Sequence, residues 1–79
     1  MTTKEIIDQF NTLPIMKSDY KTYMIIGEAT VTTISGATIT GKTSANFDLD
    51  TINVDRLINE RGCKRYGVWF EDVKSICLI

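Results

Sequence analysis

The segment Glu28-Ala29-Thr30-Val31-Thr32-Thr33-Ile34-Ser35-Gly36-Ala37-Thr38-Ile39-Thr40-Gly41 constrains this chain more than any other stretch. Its Val, Ile and Thr side chains are branched at Cβ, which makes them stiff at χ1 and suits a pleated surface better than a helix. Ser35-Gly36 is a turn signal, so the two runs on either side read as a hairpin. The preceding run Tyr23-Met24-Ile25-Ile26 has the same character, and Gly27 separates it from the hairpin. A glycine inside strand-forming residues marks a bulge or a bend, so Gly27 and Gly41 predict strongly bent strands. A chain organised around such a hairpin is mainly β.

The other elements follow from local pattern. Thr2 and Glu5 have capping-box spacing, and Ile6, Ile7, Phe10 and Leu13 then share one helical face. Pro14 disfavours helical geometry at Leu13, which predicts a helix over residues 2–13. At the other end, Tyr66-Gly67-Val68-Trp69-Phe70, a polar tip at Glu71-Asp72, and Val73 to Ile79 read as two further strands. The stretch between is ambiguous. Asn53 to Gly62 carries an Asn cap, an early acid, a late Arg and a terminal Gly, and it reads as a short helix after a short strand. Ile52, Val54 and Ile58 leave a strand open as the alternative. At 79 residues the chain holds a single domain, 1–79, with the helix followed by four or five strands over residues 20–79. Closing those strands into a small barrel would remove their exposed edges.

Chemistry-bearing residues are sparse. There is no histidine, so the commonest general base and the commonest zinc ligand are both missing. Asp48 and Asp50 share a face if their segment is extended; Glu71 and Asp72, as neighbours in a strand, need not converge. Cys63 and Cys77 lack CxxC spacing, read as free thiols, and form no metal site. These features predict no enzyme, no metal and no cofactor. The formal charge is −1, which supplies no overall basic field to attract nucleic acid. No apolar run approaches the roughly 18 residues of a membrane span, and the polar opening Met1–Glu5 has no targeting pattern, so the expectation is a cytoplasmic protein without membrane contact.

Gly36 to Thr43 fits the phosphate-binding pattern GxxxxGK[ST], which offers nucleotide binding as a remote alternative. That chemistry needs a flexible loop between strand and helix. Ala37-Thr38-Ile39-Thr40 is strand-like, and Ser44 to Asp48 is a poor helix start, so an exposed hairpin lysine is the expected role of Lys42.

The same residues resemble the first signature segment of Sm-like proteins. Gly36, Ile39 and Gly41 match its spacing of turn glycine, apolar residue and second glycine. Phe47-Asp48 is similar to the family's aromatic–Asp pair and Ile52-Asn53 to its apolar–Asn pair. The N-terminal helix and the closing Val68-Trp69-Phe70 and Val73-Lys74-Ser75-Ile76 resemble the ends of bacterial Hfq. The resemblance implies a strongly bent five-stranded Sm-like barrel, closed with copies of itself into a ring of roughly five to seven subunits. It implies edge pairing through Val68, Trp69 and Phe70 on one side and Ile76, Cys77, Leu78 and Ile79 on the other. It also implies a non-enzymatic scaffold that binds single-stranded RNA, with contacts expected at Lys42, Phe47, Asn53, Lys64 and Arg65. Where the family carries Arg-Gly or Lys-His after the fourth strand, this chain has Glu71-Asp72. Carboxylates repeated around a ring repel phosphate, and the alternative function is a protein-interaction ring with a basic protein as partner.

Overall fold

The computed structural model describes residues 1–79. Helix α1 (Thr3–Asn11) leads into seven strands: β1 (Ile15–Lys17), β2 (Thr22–Ile25), β3 (Ala29–Thr33), β4 (Thr38–Asn46), β5 (Thr51–Asn59), β6 (Gly62–Trp69) and β7 (Val73–Leu78). A single 3-10 turn, Phe70–Asp72, joins β6 to β7. The chain is therefore mainly β with an N-terminal helix, as expected.

α1 starts where the capping box places it. The Thr2 amide donates to Glu5 Oε1 at 3.0 Å, and the Glu5 amide donates to Thr2 Oγ1 at 3.2 Å. Ile6 and Phe10, one helical turn apart, are fully buried. They join a core cluster with Ile25, Ala29, Val31, Ala45, Ile52, Val54, Val68, Phe70, Val73 and Ile76. Nearly every strand contributes to that cluster, so the sheet curves around the helix's apolar face.

All strand pairings are antiparallel, along the path β1–β2–β4–β3–β7, with β5 on β4 and β6 on β5. β4 does most of the organising. Its first half, Thr38–Gly41, pairs with β3, and its second half pairs with β2 and β5. The change falls at Gly41, where an added Cβ would meet the Asp55 carbonyl oxygen and the Val54 side chain. β4 can turn at this close approach only because the position has no side chain. Gly27, between β2 and β3, takes φ +99°, a left-handed conformation open to glycine.

Two expectations are corrected, and a condition set for Asp48 and Asp50 is not met. Residues 53–61 form no helix: they belong to β5, which is paired on both sides at its start and with β6 along its length. Asn53, the expected cap, lies in the ladder opposite Ser44 and Gly67, and Gly62 follows a hairpin turn in which the Arg61 amide donates to Asn59 Oδ1 at 2.8 Å. Asp48 and Asp50 lie in a turn rather than an extended segment, and Asp50 takes φ +53°. Finally, seven strands replace the expected five, and the sheet does not close: β6 pairs only with β5, and β7 only with β3.

Candidate binding face

On β4, the even-numbered residues Lys42, Ser44 and Asn46 point away from the core. The register sets Ser44 opposite Asn53 and Asn53 opposite Gly67, with Met24 and Met16 continuing the same row on β2 and β1. The next row runs Lys42, Asp55, Arg65. The two rows line a concavity of about 390 Å³, flanked by Met16, Met24 and Ile26. Three of the five residues expected to touch RNA, Lys42, Asn53 and Arg65, thus come together on one face.

Their electrostatics are largely spent within the protein. Arg65 donates from Nε and Nη2 to the two carboxylate oxygens of Asp55, at 2.8 and 3.1 Å. These bonds hold the Asp55 carboxyl below its ordinary range, helped by the charges of Arg65 and Lys42, and they raise Arg65. Lys42 is exposed on the other side of the same carboxylate.

The remaining two RNA candidates lie elsewhere. Phe47 packs edge-on between Tyr23 (centroids 4.8 Å apart) and Phe70 (5.4 Å), so its ring is part of the packing rather than a stacking platform. Lys64 is on the opposite face of the β5–β6 hairpin from Arg65, with its ammonium 5.1 Å from the Tyr66 ring centroid.

A second concavity, of about 460 Å³, lies where the turn before β5 meets the 3-10 turn, with Leu49, Asp50, Trp69, Phe70 and Glu71 around it. The Phe70 amide donates to the Asp50 carbonyl at 2.9 Å, tying the two turns together. The Met1 ammonium donates to the carbonyls of Phe70 and Val73 at 2.7 and 2.8 Å. Asp72 borders a different hollow, beside Ile34 and Ser35, so Glu71 and Asp72 do not converge on one ligand. Asp48 is engaged with Lys21 at 3.8 Å. No group of three or more His, Cys, Asp or Glu side chains is placed to hold a metal ion.

The residues expected at an edge-to-edge interface divide by burial. Val68, Phe70 and Ile76 point into the core. Trp69, Cys77, Leu78 and Ile79 are exposed, Trp69 by 58%. β1, β6 and β7 each have a strand neighbour on one side only, and on β7 the Ile76 carbonyl accepts from Gln9 Nε2 of α1 at 3.4 Å. The nucleotide pattern at residues 36–43 falls on a turn and on β4, where Thr38–Gly41 pair with β3 as extended strand instead of forming a phosphate-cradling loop. No helix follows. No helix in the protein is long and apolar enough to cross a membrane.

Sequence reasoning missed Asp55, the residue that neutralises Arg65. Read as a helix, residues 53–61 hide a cross-strand partner ten positions away; the hairpin signal Asn59–Gly62 was the cue that could have revealed it. Comparison of the chain with family models, curated proteins and solved structures finds no match.

Proposed function

We propose that this chain is a non-enzymatic scaffold that assembles with copies of itself by pairing the free edge of β6 with the free edge of β7 in the next copy. The observation that carries the reading is that β6 and β7, two of the three strands with a neighbour on one side only, carry exposed Trp69 on one and exposed Cys77 and Leu78 on the other. An exposed strand edge is a template for another chain, and a head-to-tail pairing of two different edges closes into a ring when its rotation permits. Such a ring of roughly five to seven copies is the Sm-like arrangement, and the order of helix and strands supports it. The pairing would join the sheets of neighbouring copies into one continuous sheet.

Within this reading the ligand is a protein. Glu71 and Asp50 stand at the turns joining the strands, where phosphate would be repelled, and Arg65 is already neutralised by Asp55. Single-stranded RNA is the second reading, favoured by the meeting of Lys42, Asn53 and Arg65 around one concavity. A titration of labelled 12-nucleotide oligouridylate, read by anisotropy at low and high salt, separates the two. The protein scaffold predicts no saturable binding. Tight, salt-sensitive binding that Lys42→Glu abolishes would replace it with the RNA reading.

A further inference from the structure

Trp69, the chain's only tryptophan, ends β6 with its side chain exposed. Val68 before it points into the core, so the indole stands off the outer face of the sheet, and strand pairing along the β6 edge does not by itself cover it. Two hollows share this ring. In the first, of about 460 Å³, it stands with exposed Leu49 and with Asp50 and Glu71. In the second, of about 470 Å³, it stands with exposed Ile34 and with Asp72. Backbone bonds fix both: the Phe70 amide donates to the Asp50 carbonyl, and the Ile34 amide to the Asp72 carbonyl, each at 2.9 Å. None of Asp50, Glu71 and Asp72 joins an ion pair within the chain, and no lysine or arginine lines either hollow. The Met1 ammonium, at the wall of the first, is bound by the carbonyls of Phe70 and Val73. Its charge is offset by Glu5, whose Oε1 accepts from the adjoining Thr2 amide. Three carboxylates around an exposed indole are thus left without a counter-charge.

We propose that this end of the protein docks a basic segment of a partner protein, with one Arg or Lys over the Trp69 ring beside Asp50 and Glu71, a second near Asp72, and apolar residues against Leu49 and Ile34; the proposal rests on reading the chain as a protein-binding scaffold. The face of an indole attracts cations, and the carboxylates beside it add charge of the matching sign. Tryptophan is also among the residues that most often anchor an interface. A small organic cation fills one hollow and leaves the other open, whereas a segment with two basic residues reaches both. Nucleic acid meets the three carboxylates with its own negative charge.

The test selects random 12-residue peptides displayed on phage against the full-length chain and re-measures synthetic copies by anisotropy. Wild type is compared with Asp50→Asn/Glu71→Gln and with Glu28→Gln/Glu60→Gln, which removes the same charge away from both hollows. Asparagine tolerates the φ of +53° at position 50, so the first pair keeps the turn. The expected peptides combine Arg or Lys with Leu or aromatic residues, and they change the Trp69 emission on binding. Asp50→Asn/Glu71→Gln binds them at least about tenfold more weakly, and Glu28→Gln/Glu60→Gln binds them as wild type does. No selected peptide, peptides without basic residues, an unmoved Trp69 emission, unchanged binding by Asp50→Asn/Glu71→Gln or equal weakening in both pairs overturns the proposal. So does a loss of assembly mass in Asp50→Asn/Glu71→Gln, which assigns the hollows to a second copy. The wild-type mass separates this proposal from the assembly it accompanies. A multimer that binds no peptide refutes the docking end alone, whereas a monomer that binds the expected peptides refutes the edge pairing alone.

Discussion

Single residues decide where this sheet bends and how its polar face is balanced. Gly41 is the sharpest case, because any side chain there runs into the backbone of β5. Gly41→Ala should destabilise the fold by about 1–3 kcal/mol, the usual cost of overpacking, read as a lower denaturant midpoint with an unchanged slope. At the Asp55–Arg65 pair, charge and hydrogen bonding act together. Asp55 is held below its ordinary range chiefly by the Arg65 hydrogen bonds, so its folded value lies beneath its unfolded one. A depressed carboxylate contributes stability that is fully present above the unfolded value, near 3.8, and is lost as pH falls through the folded value. Asp55→Asn should therefore lower stability at neutral pH by roughly 0.2–1 kcal/mol, the range for a solvent-accessible ion pair. The difference between wild type and variant should shrink on acidification below about pH 4; a difference that persists at pH 2 would show that the pair's charge is not its source.

At the scale of elements, the helix and the hairpin are legible in the sequence and β5 is not. α1 announces itself through Thr2, Glu5 and Pro14, all acting within a few residues of one another. β3 and β4 are announced by their β-branched residues and the turn between them. β5 fails because Asn53, Asp55, Arg61 and Gly62 imitate helix caps and end charges, while its real determinants lie far along the chain. The register to Lys42–Asn46 on one side and Gly62–Trp69 on the other overrides local preference. The candidate site inherits that limit. Lys42, Asn53 and Arg65 could be picked out by residue type, but their meeting and the neutralisation of Arg65 depend on the register. Two element-level outcomes follow. Phe10→Ala, which empties a fully buried position under the sheet, should cost about 3–5 kcal/mol. Arg56→Glu should do the reverse, raising stability by roughly 0.2–1 kcal/mol in thermal melts by turning the repulsive cross-strand pair Arg56–Lys64 into an attractive one.

For the whole molecule, the governing fact is an open sheet on a small core. Only 14 of 79 residues are buried, and the exposed large apolar residues include Trp69 on β6 and Leu78 and Ile79 at the end of the chain. A chain this short gains little from its own interior, and pairing β6 with β7 of a further copy would extend the buried area and satisfy those two of the three open edges together. Its charge is also polarised: the arginines lie on the β5–β6 hairpin, while Asp48, Asp50, Glu71 and Asp72 lie in the turns at the other end of those strands. Leu78→Lys, which places a charge on the β7 edge, should shift the protein to smaller species while leaving its circular dichroism unchanged. The most direct test is the mass of the wild-type protein by light scattering on a sizing column. A single species of roughly five to seven times 8.9 kDa, stable on dilution, is the predicted result. A monomer of 8.9 kDa at every concentration would contradict the edge-paired assembly and the scaffold built on it.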